Sequence, residues 1–393
     1  MKTIFYQKKN LFIKKSFINQ IMVYLLICYC ILFPADKINI KEIILILTIG
    51  LCYLSVNKLR IQKYIFFYGI IWPILLIIYA IIRGVPLGSA MSYGYVWVFI
   101  LLLPIIWRIR IDIKPPFIIS TYIVALIIDF IMLCDIFGII SIFLNPVGNF
   151  FVNIREIPNL GKGTLATFGY SIFYKSSPLI LVTYGYFIYK KKYICSLPLI
   201  IALLGSGTRA NFLMAIFISV AIPILCIKKP VYKIIIVLLI VTVGMYLAPI
   251  MVNKMIALNA LKHSRSESIK LADAKVIFFL LKKNIFNFLF GTGVGSSFLS
   301  PRGKMMTTFE LSYIDFLRQT GITGMFIFIF IIIKPIKKLW IEKRWLLVCF
   351  LSYLAVAFTN PLLITSTSFM LYLLVYSEAF STSKKTDIRF LKK

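Results

Sequence analysis

Tyr64-Ile65-Phe66-Phe67-Tyr68-Gly69-Ile70-Ile71-Trp72-Pro73-Ile74-Leu75-Leu76-Ile77-Ile78-Tyr79-Ala80-Ile81-Ile82 carries no charge and is bracketed by Lys63 and Arg83. As a helix it is long enough to cross a ~30 Å hydrocarbon layer. It has no polar face of the kind that a surface helix of a soluble domain presents to water. Nor does it alternate in polarity as a barrel strand must. With no water to satisfy backbone N–H and C=O groups, a lone spanning segment of this kind has to be helical.

The pattern repeats on both sides. Upstream, a first span over 16–33 turns at Asp36-Lys37 into a second ending near Asn57. Downstream, spans are expected over 93–107 and 116–137, with a sixth ending at Lys190-Lys191-Lys192. The stretch 193–227 reads as two short helices turning at Gly205-Ser206-Gly207-Thr208-Arg209, followed by spans over 234–250, 309–333, 345–359 and 366–380. The fold class is therefore all-α: one membrane domain, 1–393, with about 12 transmembrane helices. Two longer loops, 138–175 and 251–308, are expected on the same, external side. Within the second, 276–290 is apolar but interrupted by Lys282-Lys283, which suits a helix lying in the membrane interface.

Composition agrees, with 61% hydrophobic residues and a mean hydropathy of +0.94. The net charge of +31, from 44 Lys+Arg against 13 Asp+Glu, would point to nucleic acid in a soluble chain. Here the bases cluster between apolar runs, at 58–63, 108–114, 190–192, 228–233 and 334–344, and in both tails. That is the positive-inside pattern, so both termini are expected in the cytoplasm and nucleic acid is not a partner. The 251–308 loop is also basic, and an external basic loop suggests an anionic ligand. Lys8, Lys9, Lys14 and Lys15 ahead of an apolar run resemble a signal peptide. No A-x-A-like site follows, so the run is read as an uncleaved first helix.

Chemistry is sought among polar groups that a bilayer penalises by roughly 2.5 to 3.5 kcal/mol each. Arg209 opens a helix beside a turn of small residues, suited to bidentate phosphate binding or to snorkelling toward headgroups. Glu310 lies at the start of a span with no oppositely charged neighbour one helical turn away, whereas Asp315 and Arg318 are spaced to pair. Phe290-Gly291-Thr292-Gly293-Val294-Gly295 has no βαβ context for a dinucleotide. It reads either as a backbone nest for an anion or as a plain loop. The single histidine, His263, reads as a solvated loop residue. The seven cysteines fall in or beside spans without metal-ligand spacing, and neither a D-x-D pair nor a Walker loop occurs, so no cofactor or metal is expected.

Three segments stand out in order: Gly205-Ser206-Gly207-Thr208-Arg209-Ala210, Phe290-Gly291-Thr292-Gly293-Val294-Gly295, and Tyr313-Ile314-Asp315-Phe316-Leu317-Arg318-Gln319-Thr320-Gly321-Ile322-Thr323-Gly324. Together they resemble the O-antigen polymerase and ligase superfamily of bacterial polysaccharide assembly. Thr359-Asn360-Pro361 is also similar to that family. The ligase members usually carry a His three residues before the Tyr, where this chain has Glu310.

What the resemblance implies is a multi-pass inner-membrane glycosyltransferase. It would join undecaprenyl-diphosphate-linked oligosaccharide units at the periplasmic face, with a chain-length regulator as a further partner. Carried over residue by residue, Glu310 becomes the general base, and Arg209 and Arg265 become diphosphate ligands. Arg318 and Arg155 are secondary ligands, with Gly291, Gly293 and Tyr313 around the glycan. A ligase acting on lipid A-core, or a lipid-linked oligosaccharide flippase, are the alternatives.

Overall fold

The computed structural model describes residues 2–34, 40–55, 61–137, 160–162, 170–227, 231, 264–301 and 303–380. The expected span over 234–250, most of the 138–175 loop, Arg155 and His263 lie outside the described residues.

Among the described residues, five helices are long and apolar enough to cross a membrane: α3 (Lys63–Ile82), α4 (Leu87–Ile109), α5 (Lys114–Ile136), α8 (Arg209–Cys226) and α11 (Ser312–Glu342). Around them stand α1 (Lys2–Leu32), α2 (Ile40–Ser55), α6 (Ile180–Tyr189), α7 (Tyr193–Gly205), α12 (Arg344–Thr359) and α13 (Ser366–Phe380). The only strands among the described residues are two short hairpins, β1 (Leu160–Lys162) with β2 (Tyr170–Ile172) and β3 (Phe298–Leu299) with β4 (Met305–Met306), both antiparallel. This is the makeup of a helical membrane protein.

The 64–82 stretch forms α3 almost as expected. Its middle widens to a π-helix over Phe67–Ile71, opposite a 3-10 stretch over Tyr95–Leu101 in α4. Gly69 and Gly94 face the partner helix there. A Cβ on either would come 2.7 Å from Leu101 or Ile77, so the two backbones approach as small residues allow. Helix α4 starts earlier than the expected 93, at Leu87, directly after Pro86, and no further proline follows until Pro104. Trp97 on α4 is the hub of the core, packing against Trp72, Phe316 and Phe369 from α3, α11 and α13.

The two ends of the bundle differ. At one, Lys114 and Lys343 both bind the Glu378 carboxylate, at 3.1 and 2.6 Å, and Trp345 stacks on Tyr189. The basic junctions 108–114, 189–193 and 342–345 therefore meet at the same end. At the other, Lys41 donates to the Pro34 carbonyl at 2.5 Å, and Tyr79 donates to the Gly291 carbonyl at 2.9 Å. Ser312 there donates to the Asn360 carbonyl.

The 251–308 loop is structured where it is described. Helix α9 (Ser264–Lys282) begins well before the expected 276, and α10 (Ile285–Phe290) follows after a break at Lys283-Asn284. Asn284 caps α10 by accepting from the Phe286 N–H at 2.9 Å.

Candidate functional site

Helix α11 is not continuous. At Gly321 the backbone turns to φ 65, ψ −170, conformations that a glycine adopts at least cost. A break there removes the preceding carbonyls from the helical ladder, and in an apolar setting each would cost several kcal/mol if left bare, on the order given for lipid. The loop after α10 supplies the missing donors. Thr292 N–H donates to Arg318 O at 2.7 Å and Gly293 N–H to Gln319 O at 3.1 Å. Contact this close needs glycine on both sides. A Cβ on Gly291 would collide with the Gln319–Thr320 peptide, and one on Gly321 with the Leu289–Phe290 peptide. The Gly-rich loop is thus neither open nest nor plain loop: Thr292, Gly293 and Gly295 direct their N–H groups into α11, the last to Gln319 Oε1 at 3.2 Å.

Directly below the break lies a closed polar cluster. Arg318 is completely buried. Its Nε and Nη2 donate to Asp315 Oδ1 at 2.9 and 2.7 Å. Nη1 donates to Ser296 O and Oγ at 2.8 and 2.9 Å, and Nη2 also reaches Thr307 O at 2.9 Å. All five guanidinium donors are thereby matched, and the ring of Phe298 covers the group at 5.0 Å. Gln319 Nε2 takes the other Asp315 oxygen at 2.9 Å. The expected Asp315–Arg318 pair forms, and Arg318 acts as a strut joining α11 to the loop, with no N–H left to offer a ligand.

Two cavities flank this strut. The first, about 420 Å³, is lined by Lys41, Tyr93, Tyr95, Lys175, Asp315 and Gln319, with the hydroxyls of Ser312, Ser366 and Thr367 among its walls. Lys41 is buried to 4% exposure at the head of α2 and reaches Ser366 Oγ at 3.5 Å. Neither Lys41 nor Lys175 stood out in the sequence, because both sit at span ends where a lysine ordinarily reaches water. The second cavity, about 550 Å³, is lined by Arg83, Lys283, Asn284, Asn287, Ser296 and Thr307 among others.

The other expected residues are distributed around these cavities. Glu310 is exposed and pairs with Lys270 of α9 at 2.6 Å through Oε2. It lies between Thr308 and Ser312, both of which line the first cavity. Tyr313 donates to Leu354 O at 3.0 Å and packs on Phe358, which turns its hydroxyl toward α12. Arg209 opens α8, half-buried, next to Asn211, which donates to Ser206 and Ser177 at 3.0 and 3.2 Å. Arg265 belongs to α9, and its side chain lies outside the described residues. The structure joins Gly291, Gly293 and Arg318 in one assembly, while Arg209 belongs to a separate group on α8. No cluster of three or more His, Cys, Asp or Glu that could hold a metal occurs among the described residues.

Fold and site define a class: a helical membrane protein with a polar, lysine-bearing cavity at one end of its bundle. No protein-family model matches this chain, and no curated protein matches it.

Proposed function

We propose that this protein is a glycosyltransferase of the bacterial inner membrane that polymerises undecaprenyl-diphosphate-linked oligosaccharide units at the periplasmic face. The observation that carries the reading is the first cavity: two lysines beside tyrosine and serine hydroxyls, at one end of a bundle of apolar helices. Ammonium groups neutralise a diphosphate, and the hydroxyl and aromatic walls suit a sugar. In this reading about 12 spans place both termini in the cytoplasm, and the basic end of the bundle faces inward.

The acceptor hydroxyl oxygen attacks the anomeric carbon of the donor. The bond from that carbon to the diphosphate oxygen breaks, and undecaprenyl diphosphate leaves with the electron pair. Lys41 and Lys175 stabilise the charge that develops on it. Glu310 accepts the hydroxyl proton. Asp315 is the carboxylate in the cavity wall, but Arg318 and Gln319 already engage both its oxygens, which commits it to holding the strut. Glu310 Oε1 is not part of the Lys270 contact and suits the task better.

The test is the surface polysaccharide of a strain lacking the protein, complemented with wild type, Glu310→Gln or Lys41→Met. A polymerase predicts single repeat units in place of a ladder in the deletion strain, restored by wild type alone. Complete loss of attached glycan would favour a ligase or a flippase instead.

A further inference from the structure

The second cavity is not needed for that reaction, yet it is built from charge and amide groups at the edge of an apolar surface. Arg83 ends α3 and donates to Asn287 Oδ1 of α10. Asn287 is itself buried and held by its Nδ2 bond to Leu280 O at 2.9 Å. Lys283 and Asn284 form the opposite wall, at the break between α9 and α10. Two cations, two amides and several hydroxyls thus line a space of about 550 Å³ that contains no acidic residue in its lining.

Next to it, α9 and α10 leave Phe278, Phe279, Ile285, Phe286, Phe288 and Phe290 exposed, at 42% to 69%. Soluble proteins rarely expose a contiguous apolar patch of this composition, and such a patch marks a contact with a partner or a membrane. The surface is also continuous with the outward face of α3: Phe290 packs on Tyr79 with ring centres 6.1 Å apart, and Ile78 and Ile82 of α3 are exposed beside it. The apolar patch therefore stands level with the end of α3, and in a bilayer crossed by α3 the cationic cavity beside it would fall near the depth of the lipid phosphates.

We infer that this cavity is a binding site for an anionic membrane lipid. Arg83 and Lys283 hold the phosphate, Asn284 and the Ser296 region contact its ester oxygens, and the chains lie along the phenylalanines of α9 and α10. Arg83 offers the planar fork suited to phosphate, and Lys283 a second, mobile charge. Through Ser296, which belongs both to this cavity and to the Arg318 strut, an occupied site braces the wall it shares with the first cavity. The inference does not depend on the protein transferring sugars.

Binding of fluorescent phosphatidic acid to the purified full-length protein in detergent micelles tests it, with diacylglycerol and glycerol 3-phosphate as competitors. Phosphatidic acid should bind at least tenfold tighter than diacylglycerol, and glycerol 3-phosphate should compete only at far higher concentration. Arg83→Gln with Lys283→Gln should lower the affinity tenfold or more, while Arg83→Lys retains most of it. Phe279→Ser with Phe286→Ser should weaken binding without abolishing the preference for phosphate. Lys41→Met should leave binding unchanged, which separates this site from the cavity assigned to the sugar donor. Equal affinity for phosphatidic acid and diacylglycerol would overturn the inference, as would full binding by the double Gln variant with an unaltered melting temperature. Competition by glycerol 3-phosphate as strong as by the lipid would show a site for soluble phosphate, and would overturn it too.

Discussion

At the scale of single residues, Arg318 shows how a buried charge can be structural. Removing its guanidinium leaves the buried Asp315 carboxyl without its cationic partner, and strips the Ser296 and Thr307 carbonyls of their donors. Breaking a buried pair from one side typically costs ~3–5 kcal/mol. Arg318→Met should therefore lower the melting temperature in detergent steeply. Adding Asp315→Asn should recover part of the loss, because the second change removes the unpaired carboxyl. Strictly additive losses in the two variants would contradict the coupling. Glu310→Gln makes the opposite prediction. An exposed pair such as Glu310–Lys270 contributes at most ~1 kcal/mol, so this variant should melt within a degree or two of wild type. If the protein lengthens lipid-linked chains with Glu310 as base, the variant should nevertheless fail to lengthen them in the complementation gel, and long chains of normal length would remove Glu310 from that role. Arg209→Ala, measured in the same gel, should also abolish chain lengthening if Arg209 binds diphosphate. Arg209→Lys should restore it only in part, since an ammonium cannot reproduce bidentate geometry.

At the scale of elements, the break in α11 and the loop after α10 form one unit, because each supplies what the other lacks. The positive φ of Gly321 and Gly291 and the backbone contact between them leave no room for a side chain. Gly303 shares the sign of φ, at 72, but a Cβ there would meet nothing within 4 Å. Its replacement by Ala should cost only the ~1–2 kcal/mol of a left-handed residue. Gly321→Ala and Gly291→Ala should each cost clearly more, since peptide groups would have to move apart. Thermal melting of the three variants side by side measures the difference, and equal shifts would mean that the crossing is looser than its geometry. The sequence displayed both motifs but not their union. Long apolar runs make α3 and α5 readable to within two or three residues, and the turn before Arg209 falls where small residues end α7. Gly321 inside an apolar helix was itself a signal of a break. Nothing in either stretch could say that Gly291, some thirty residues earlier, would fill it, because backbone-to-backbone contact leaves no side-chain pattern. Lys41 escaped for the converse reason: its burial is imposed by Pro34, seven residues earlier, and by Ser366, distant in sequence.

At the scale of the whole molecule, the charge pattern becomes a statement about orientation. Basic junctions far apart in sequence converge at one end, where Glu378 alone binds lysines from two of them. The opposite end gathers the broken helix, both cavities and the α9–α10 surface. If the basic end faces the cytoplasm, as the positive-inside bias requires, both cavities open on the far side of the membrane, where lipid-linked sugar units would have to be delivered. Cysteine accessibility decides this in intact cells. Ser297, exposed in the loop after α10 and part of the second cavity lining, and Lys191, at the turn between α6 and α7, stand at opposite ends. In a background with the native cysteines replaced, Ser297→Cys should react with a membrane-impermeant maleimide, and Lys191→Cys only after the membrane is opened. The reverse pattern would invert the whole molecule. A cavity lined by Lys41 and Lys175 would then face the cytoplasm, and polymerisation at the outer face would have to be abandoned along with Glu310 as its base.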